Sequence, residues 1–190
     1  VADLWAFDFD GTLVDTAGLK RAAFFEVFPN EFGGVVEAVL TRWPDGSRHD
    51  VIPRMVAEAN DPGLDADALI AAYGRAVADG VRQAPAIAGA EDALERAAQN
   101  GVACVFSMTP HDELLAGLQA RGWHRWLSDI RGFPAQKPAT LAEWIARFGA
   151  TATTVIGDGE SDADAARQND VRFLRADPGW PERLGAGAQA

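Results

Sequence analysis

VADLWAFDFDGTLVDT, residues 1–16, runs from an apolar, strand-like segment into a cluster of acids. Asp8 and Asp10 stand at alternate positions, Gly11-Thr12 follows, and Asp15 comes three residues later. Alternate side chains of a strand share one face, so the first two carboxylates project together from the end of what reads as a buried strand. An ionised carboxylate buried without partners is costly. Either a local turn satisfies these groups, or they serve a chemical purpose.

The rest of the chain supplies a frame for that strand. Short apolar runs recur at 102–107 (VACVFS), 127–133 (LSDIRGF), 153–157 (TTVIG) and 171–176 (VRFLRA). Helix-like segments lie between them at 90–100, 110–121, 138–148 and 161–169. Two helices end at Gly122 and Gly149 and one opens at Pro138, the usual placement of these residues at helix ends. Strands alternating with helices predict a Rossmann-like α/β fold, a parallel sheet of about five strands with helices on both faces. Between Thr16 and Gln83 no strand is evident; 17–28, 34–43, 52–60 and 66–82 all read as helices, punctuated by Pro and Gly. Residues 1–15 and 84–190 are therefore expected to form the core, with 16–83 an inserted all-helical unit. The tail, ADPGWPERLGAGAQA, is rich in Pro, Gly and Ala and is expected to fray.

Composition narrows the partners. The chain has 190 residues, 48% hydrophobic and 24% charged, an ordinary globular profile. A net charge of -11 argues against nucleic acid or an anionic membrane as the main partner. No run is apolar for long enough to span a bilayer, nothing resembles a signal peptide, and the expected setting is cytoplasmic. The single cysteine, Cys104, lies in an apolar run and reads as a small core residue, which rules out a cysteine zinc site. Trp123 and Trp126 read as packing, and His111 and His124 have no metal-ligand spacing. The expected state is a monomer or weak dimer.

In a doubly wound sheet, ligands bind at the carboxyl ends of the strands. Parallel strands would bring Asp8, Asp10, Ser107 at the end of the second strand, Asp158 and Asp162 to one edge, with Lys137 just before the helix begun by Pro138. So many carboxylates repel and call for a cation. Hard oxygen ligands suit Mg²⁺. Lys137 and Ser107 suit a phosphoryl oxyanion. One carboxylate would act as nucleophile and its neighbour as general acid/base.

Four motifs in order, DFDGTLVDT (8–16), Ser107, Lys137 in QKP, and GDGESD (157–162), resemble the haloacid dehalogenase superfamily of phosphatases. The resemblance spans the whole chain and implies a Rossmann-like core with a helical cap inserted after the first motif. It implies Asp8 as the nucleophile that forms an aspartyl-phosphate and Asp10 as the acid/base. It places Thr12 at the turn, helping to hold Asp10, and groups it with Ser107 and Lys137 on the phosphate side. It implies Mg²⁺ between Asp8, the backbone carbonyl of Asp10, and Asp158. Asp162 would orient Lys137 or a metal-bound water. Glu160 would either reach the metal's outer shell or face solvent. Halide-displacing members lack the second aspartate and phosphonate-cleaving members carry a small residue there, so Asp10 favours phosphate esters.

The inserted helices would choose the organic part of a small phosphorylated metabolite. DGSRHDVIPRM (45–55) resembles a substrate-facing loop of β-phosphoglucomutase-like members, and Arg48 would meet a distal phosphate or carboxylate there. Lys20 is a second candidate. A cap hinged at 14–16 and 83–86 would exclude water on closing. The expected activity is Mg²⁺-dependent hydrolysis of a phosphate monoester. The alternatives are a phosphomutase of the β-phosphoglucomutase type, and a non-catalytic phospho-ligand binder or receiver. Receivers lack both the second aspartate and such an insertion. Phosphoglycolate, sugar phosphates and nucleoside monophosphates all remain open as substrates.

Overall fold

The computed structural model describes residues 2–44 and 46–186. Asp45, which opens the DGSRHD stretch, and the last four residues of the tail lie outside that range. Among the described residues, five strands, β1 (Asp3–Phe7), β2 (Gly101–Pro110), β3 (Asp129–Phe133), β4 (Thr153–Gly157) and β5 (Arg172–Arg175), form one sheet in the order β3-β2-β1-β4-β5. Every pairing is parallel. Five helices accompany the strands: α5 (Ala90–Asn100), α6 (His111–Ala120), α7 (Lys137–Phe148), α8 (Glu160–Gln168) and α9 (Trp180–Ala186). Four more precede them: α1 (Ala17–Val27), α2 (Gly33–Arg42), α3 (Arg48–Ala59) and α4 (Ala66–Gln83). No helix among the described residues is long and apolar enough to cross a membrane.

The chain divides into two compact units, Val1–Asp15 with Ala84–Ala190, and Thr16–Gln83. In the sheet unit, Leu4, Ala6, Cys104, Phe106, Val155, Leu141, Trp144 and Ala165 are buried together. The strands are covered on both faces, which is why they read as continuous apolar runs rather than alternating ones. Burial pushes the Cys104 thiol up to about 12, so it stays protonated and inert at neutral pH. The helical unit has its own interior, with Val36, Val39, Val51, Ile52 and Met55 fully buried and Phe24 packed on Tyr73 at 4.3 Å.

Several boundaries differ from the sequence expectation. The second strand does not end at Ser107 but continues to Pro110, with a register irregularity between Phe106 and Pro110. Pro110 is tolerated because it lies at this irregularity, where the regular ladder is already broken. The third strand begins at Asp129 rather than Leu127, because Trp123–Trp126 form a 3₁₀ turn. Lys137 is the first residue of α7 rather than its prelude. Helix α3 starts at Arg48, not at residue 52. The Asp50 carboxylate accepts the Ser47 backbone N–H at 3.2 Å, a reach-back that starts the helix ahead of Pro53. Pro53 then costs one backbone bond without stopping the helix. The tail is anchored through residue 186: α9 inserts Trp180, 1% exposed, with its ring 6.0 Å from that of Phe7.

Candidate active site

The strand order places β2 and β3 on one side of β1, and β4 and β5 on the other. The connection reverses at β1, and the crevice for a ligand opens at the carboxyl ends of the strands there. Asp8 directly follows β1, and its backbone N–H donates to the Ile156 carbonyl of β4 at 2.8 Å. The chain then turns sharply: Leu13 N–H donates to Phe9 O at 2.9 Å and Gly11 N–H to Val14 O at 2.8 Å. Gly11 has φ +73°, and a Cβ there would lie 2.1 Å from an Asp158 carboxylate oxygen. Only glycine lets this turn and the acid of β4 approach so closely. Gly157 has the same duty on β4, where a Cβ would sit 2.2 Å from Cγ of Asp162.

Lys137, 4% exposed, reaches into this crevice from the first turn of α7. Its Nζ donates to Asp8 Oδ1 at 2.7 Å and to Asp162 Oδ1 at 2.6 Å. It also lies 5.1 Å from the centre of the Phe106 ring, which is itself stacked on Trp144. Asp162 takes the Gly159 N–H on its other oxygen at 3.2 Å, so both of its oxygens are engaged. Asp158 and Asp162 lie with Asp8 in a group whose ligand atoms are all within 4.8 Å of one another. Arg175, at the end of β5, donates to the Asp158 carbonyl at 2.8 Å and ties down that loop.

Asp10 has different company. Its Oδ2 accepts the Thr109 hydroxyl at 2.5 Å and the Ser107 hydroxyl at 3.3 Å. Thr109 N–H in turn donates to Ser107 Oγ at 3.0 Å. Thr12, expected to help hold Asp10, does not: its hydroxyl is fully buried and makes no hydrogen bond among the described residues. Thr109 stands where Thr12 was expected, and the sequence signal for it was its position two residues beyond Ser107 in a strand that runs further than it reads. Glu160 is exposed and paired with Arg167 at 2.8 Å. Lys20 and Arg48 belong to the helical unit. There Arg48 opens α3 and its guanidinium lies 5.9 Å from the Tyr73 ring centre.

The electrostatics are those of a site short of positive charge. Burial pushes Asp8 up to about 7; Lys137 opposes the rise, and the charges of Asp162 and Asp10 add to it. Burial also raises Asp158, helped by the charge of Asp8. Asp162 is raised by burial against the pull of Lys137. Burial alone would lower Lys137, but Asp8 and Asp162 outweigh it and hold its pKa above the ordinary lysine range. One ammonium cannot neutralise three acids. The donor set fits a hard divalent cation, since all the available ligand atoms are carboxylate or carbonyl oxygens. With Asp162 committed to Lys137 and Gly159, Asp8 and Asp158 are the carboxylates best able to hold one.

A parallel α/β sheet with acids and one lysine gathered at its switch point defines a class of enzymes that act at strand ends. The chain matches the haloacid dehalogenase-like hydrolases over residues 2–170, and it belongs to that family. Solved structures share its fold at low identity. One is a predicted phosphoglycolate phosphatase from Haemophilus somnus (TM-score 0.73, 18% identity, 90% of this chain and 84% of that one). A second is a haloacid dehalogenase-like hydrolase from Xanthomonas campestris (TM-score 0.69, 18% identity, 97% and 95%). A third is CbbY from Rhodobacter sphaeroides, solved with xylulose-1,5-bisphosphate (TM-score 0.68, 16% identity, 95% and 88%). No curated protein sequence matches the chain.

Proposed function

We propose that this hydrolase is a Mg²⁺-dependent phosphatase that cleaves a small-metabolite phosphate monoester through an aspartyl-phosphate on Asp8. The observation that carries the proposal is the contrast between two acids at one strand end. Asp8 is gripped by a lysine, and Asp10 is held by hydroxyls. Environments that differ in this way suit a nucleophile and a general acid.

In the first step a carboxylate oxygen of Asp8 forms a bond to phosphorus. The bond from phosphorus to the ester oxygen breaks, and that oxygen leaves with the electron pair. Asp10 gives it a proton, so it departs as an alcohol. In the second step Asp10, now a carboxylate, takes a proton from water as the water oxygen attacks phosphorus. The bond to Asp8 breaks, which frees inorganic phosphate and restores the Asp8 carboxylate. Lys137 fixes the Asp8 carboxylate through Oδ1 and offsets negative charge as it builds on the phosphoryl oxygens. Ser107 offers a hydroxyl to the same group. Asp8, the backbone carbonyl of Asp10, and Asp158 would hold the Mg²⁺, which supplies charge neutralisation that one lysine cannot. In this reading residues 1–15 and 84–190 are the catalytic core and 16–83 the cap, with Arg48 and Lys20 as its candidates for selecting substrate. The predicted phosphoglycolate phosphatase and the bisphosphate complex that share the fold support small phosphorylated acids and sugars as the first compounds to try.

Phosphate release from a panel of such monoesters with Mg²⁺ tests the proposal. Asp8→Asn should lower turnover by at least about 10⁴-fold, as removal of a nucleophile does, with an unchanged circular dichroism spectrum. Retained turnover would remove Asp8 from the nucleophile role. Isomerised sugar phosphate in place of free phosphate would make the enzyme a mutase.

A further inference from the structure

Asp10 must be an acid in the first step and a base in the second, so its partner has to tolerate both forms. An ammonium such as Lys137 only donates, and favours the charged form. A hydroxyl carries one proton and two lone pairs, and its proton rotates to suit. It can donate to Oδ2 of the carboxylate, and equally to the same oxygen of the carboxylic acid protonated on its other oxygen, without the heavy atoms moving. The structure supplies a hydroxyl of this kind. Thr109, 7% exposed, places Oγ1 within hydrogen-bond reach of Asp10 Oδ2, at 2.5 Å. Ser107 reaches the same oxygen at the longer 3.3 Å.

Thr109 is itself held from more than one side. Its backbone N–H donates to Ser107 Oγ at 3.0 Å. Its carbonyl packs against Gly132 of β3, where a Cβ would lie 2.7 Å from Thr109 O and 2.5 Å from the Cα of His111. The irregular end of β2 fits beside β3 because that position has no side chain. The extension of β2 past Ser107 therefore delivers one hydroxyl to one carboxylate and has its backbone fixed on both flanks.

We propose that Thr109 is the positioning residue for Asp10. Its hydroxyl sets the orientation from which Asp10 passes a proton to the leaving oxygen and later takes one from water. The inference rests on the phosphatase reading and on the role that reading gives to Asp10.

Thr109→Val keeps the shape and the backbone N–H and removes only the hydroxyl; Thr109→Ser keeps the hydroxyl. The test compares kcat/KM for propyl phosphate, whose alkoxide needs a proton to leave, with 4-nitrophenyl phosphate, whose phenolate does not. kcat/KM reports the steps up to departure of the leaving group, so the later attack of water does not blur the comparison. For Thr109→Val the propyl phosphate value should fall by about 10²-fold, the usual scale of general acid catalysis. The 4-nitrophenyl value should fall by at least about tenfold less, and Thr109→Ser should restore the propyl phosphate rate. Equal losses on the two substrates, or a serine variant no better than valine, would overturn the proposal. Crystal structures of the wild type and Thr109→Val without substrate decide it independently of turnover: the Asp10 carboxylate should swing away from its wild-type place, and an unmoved Asp10 overturns the inference. Wild-type protein inactive on these two esters and on the whole monoester panel would instead defeat the phosphatase reading, and the crystallographic comparison would still judge Thr109.

Discussion

Two carboxylates of the same sheet, Asp129 at the start of β3 and Asp8 at the end of β1, are treated in opposite ways. Asp129 is surrounded by donors. Its Oδ2 accepts Arg131 Nε and a terminal guanidinium nitrogen at 3.1 and 3.0 Å, Trp144 Nε1 at 2.9 Å and Arg147 at 3.1 Å. Its Oδ1 accepts the Ile130 N–H at 2.8 Å. Partial burial works against its charge, but the bonds from Arg131, Trp144 and Ile130 outweigh burial and hold it below the usual carboxylate range. Asp8 shares one lysine with Asp162, lies beside further acids, and is pushed up to about 7. Trp144 serves both places, since its indole N–H bonds Asp129 while its ring supports Phe106 beneath Lys137. A structural charge is saturated by its own protein; the charge at the strand ends is left for something else to complete.

The largest effect on this contrast should come from Lys137→Met. It strips the ammonium that bonds both Asp8 and Asp162, and at neutral pH the folded state should lose about 3–5 kcal/mol, the usual result of breaking a buried ion pair. Urea denaturation measures it, and the deficit should shrink as pH falls and the two acids take up protons. Asp129→Asn should cost about 1–3 kcal/mol, the range for bonds to a charged group, while phosphate release stays at the wild-type rate. If activity fell with it, the two regions would be coupled rather than distinct. The smallest effect per unit of pH compares wild type with Asp8→Asn in chelator. The folded-state pKa of Asp8, about 7, lies above the ordinary 3.8. The folded state thus binds the proton more tightly than the unfolded chain, and this stability is lost as pH rises through that window. Asn cannot titrate, so Asp8→Asn should gain melting temperature relative to wild type between those pH values. A constant difference would place Asp8 in an ordinary, well-compensated setting.

Much of this arrangement is legible from residue order alone. The alternation of apolar runs and helices leads to the parallel sheet, and parallel strands collect Asp8, Asp10, Lys137, Asp158 and Asp162 at one edge. What stayed hidden depends on contacts between segments distant in sequence. The strand reads as ending at Ser107 and a helix as opening at Pro110, so nothing local marks Thr109 as a partner for Asp10, 99 residues away. The early start of α3 turns on a reach-back from Asp50 to Ser47 that overrides a more conspicuous Pro53. The tail has the composition of a frayed end, yet through residue 186 it is held by the buried Trp180 indole, by Arg96 on Pro181 O and by Arg183 on Arg175 O. Local pattern reports the elements; it does not report which side chain a neighbouring strand will hold.

The way the chain leaves and re-enters the sheet unit has a consequence of its own. Val14 pairs with Ala86 in an antiparallel bridge, Asp15 N–H donates to Pro85 O at 2.9 Å, and Ile87 N–H donates to Leu13 O at 3.0 Å. Arg121 clasps the returning segment through Ala84 O at 2.6 Å. The outgoing and incoming segments thus form a single stalk closed by the sheet unit's own bonds. The entropy of closing that loop rises only slowly with its length, by about 0.6 kcal/mol per doubling. The stalk is in this sense a socket: inserts of very different size fit there at little thermodynamic penalty to the sheet unit, so the carboxylates at the strand ends keep their setting while the inserted unit is exchanged.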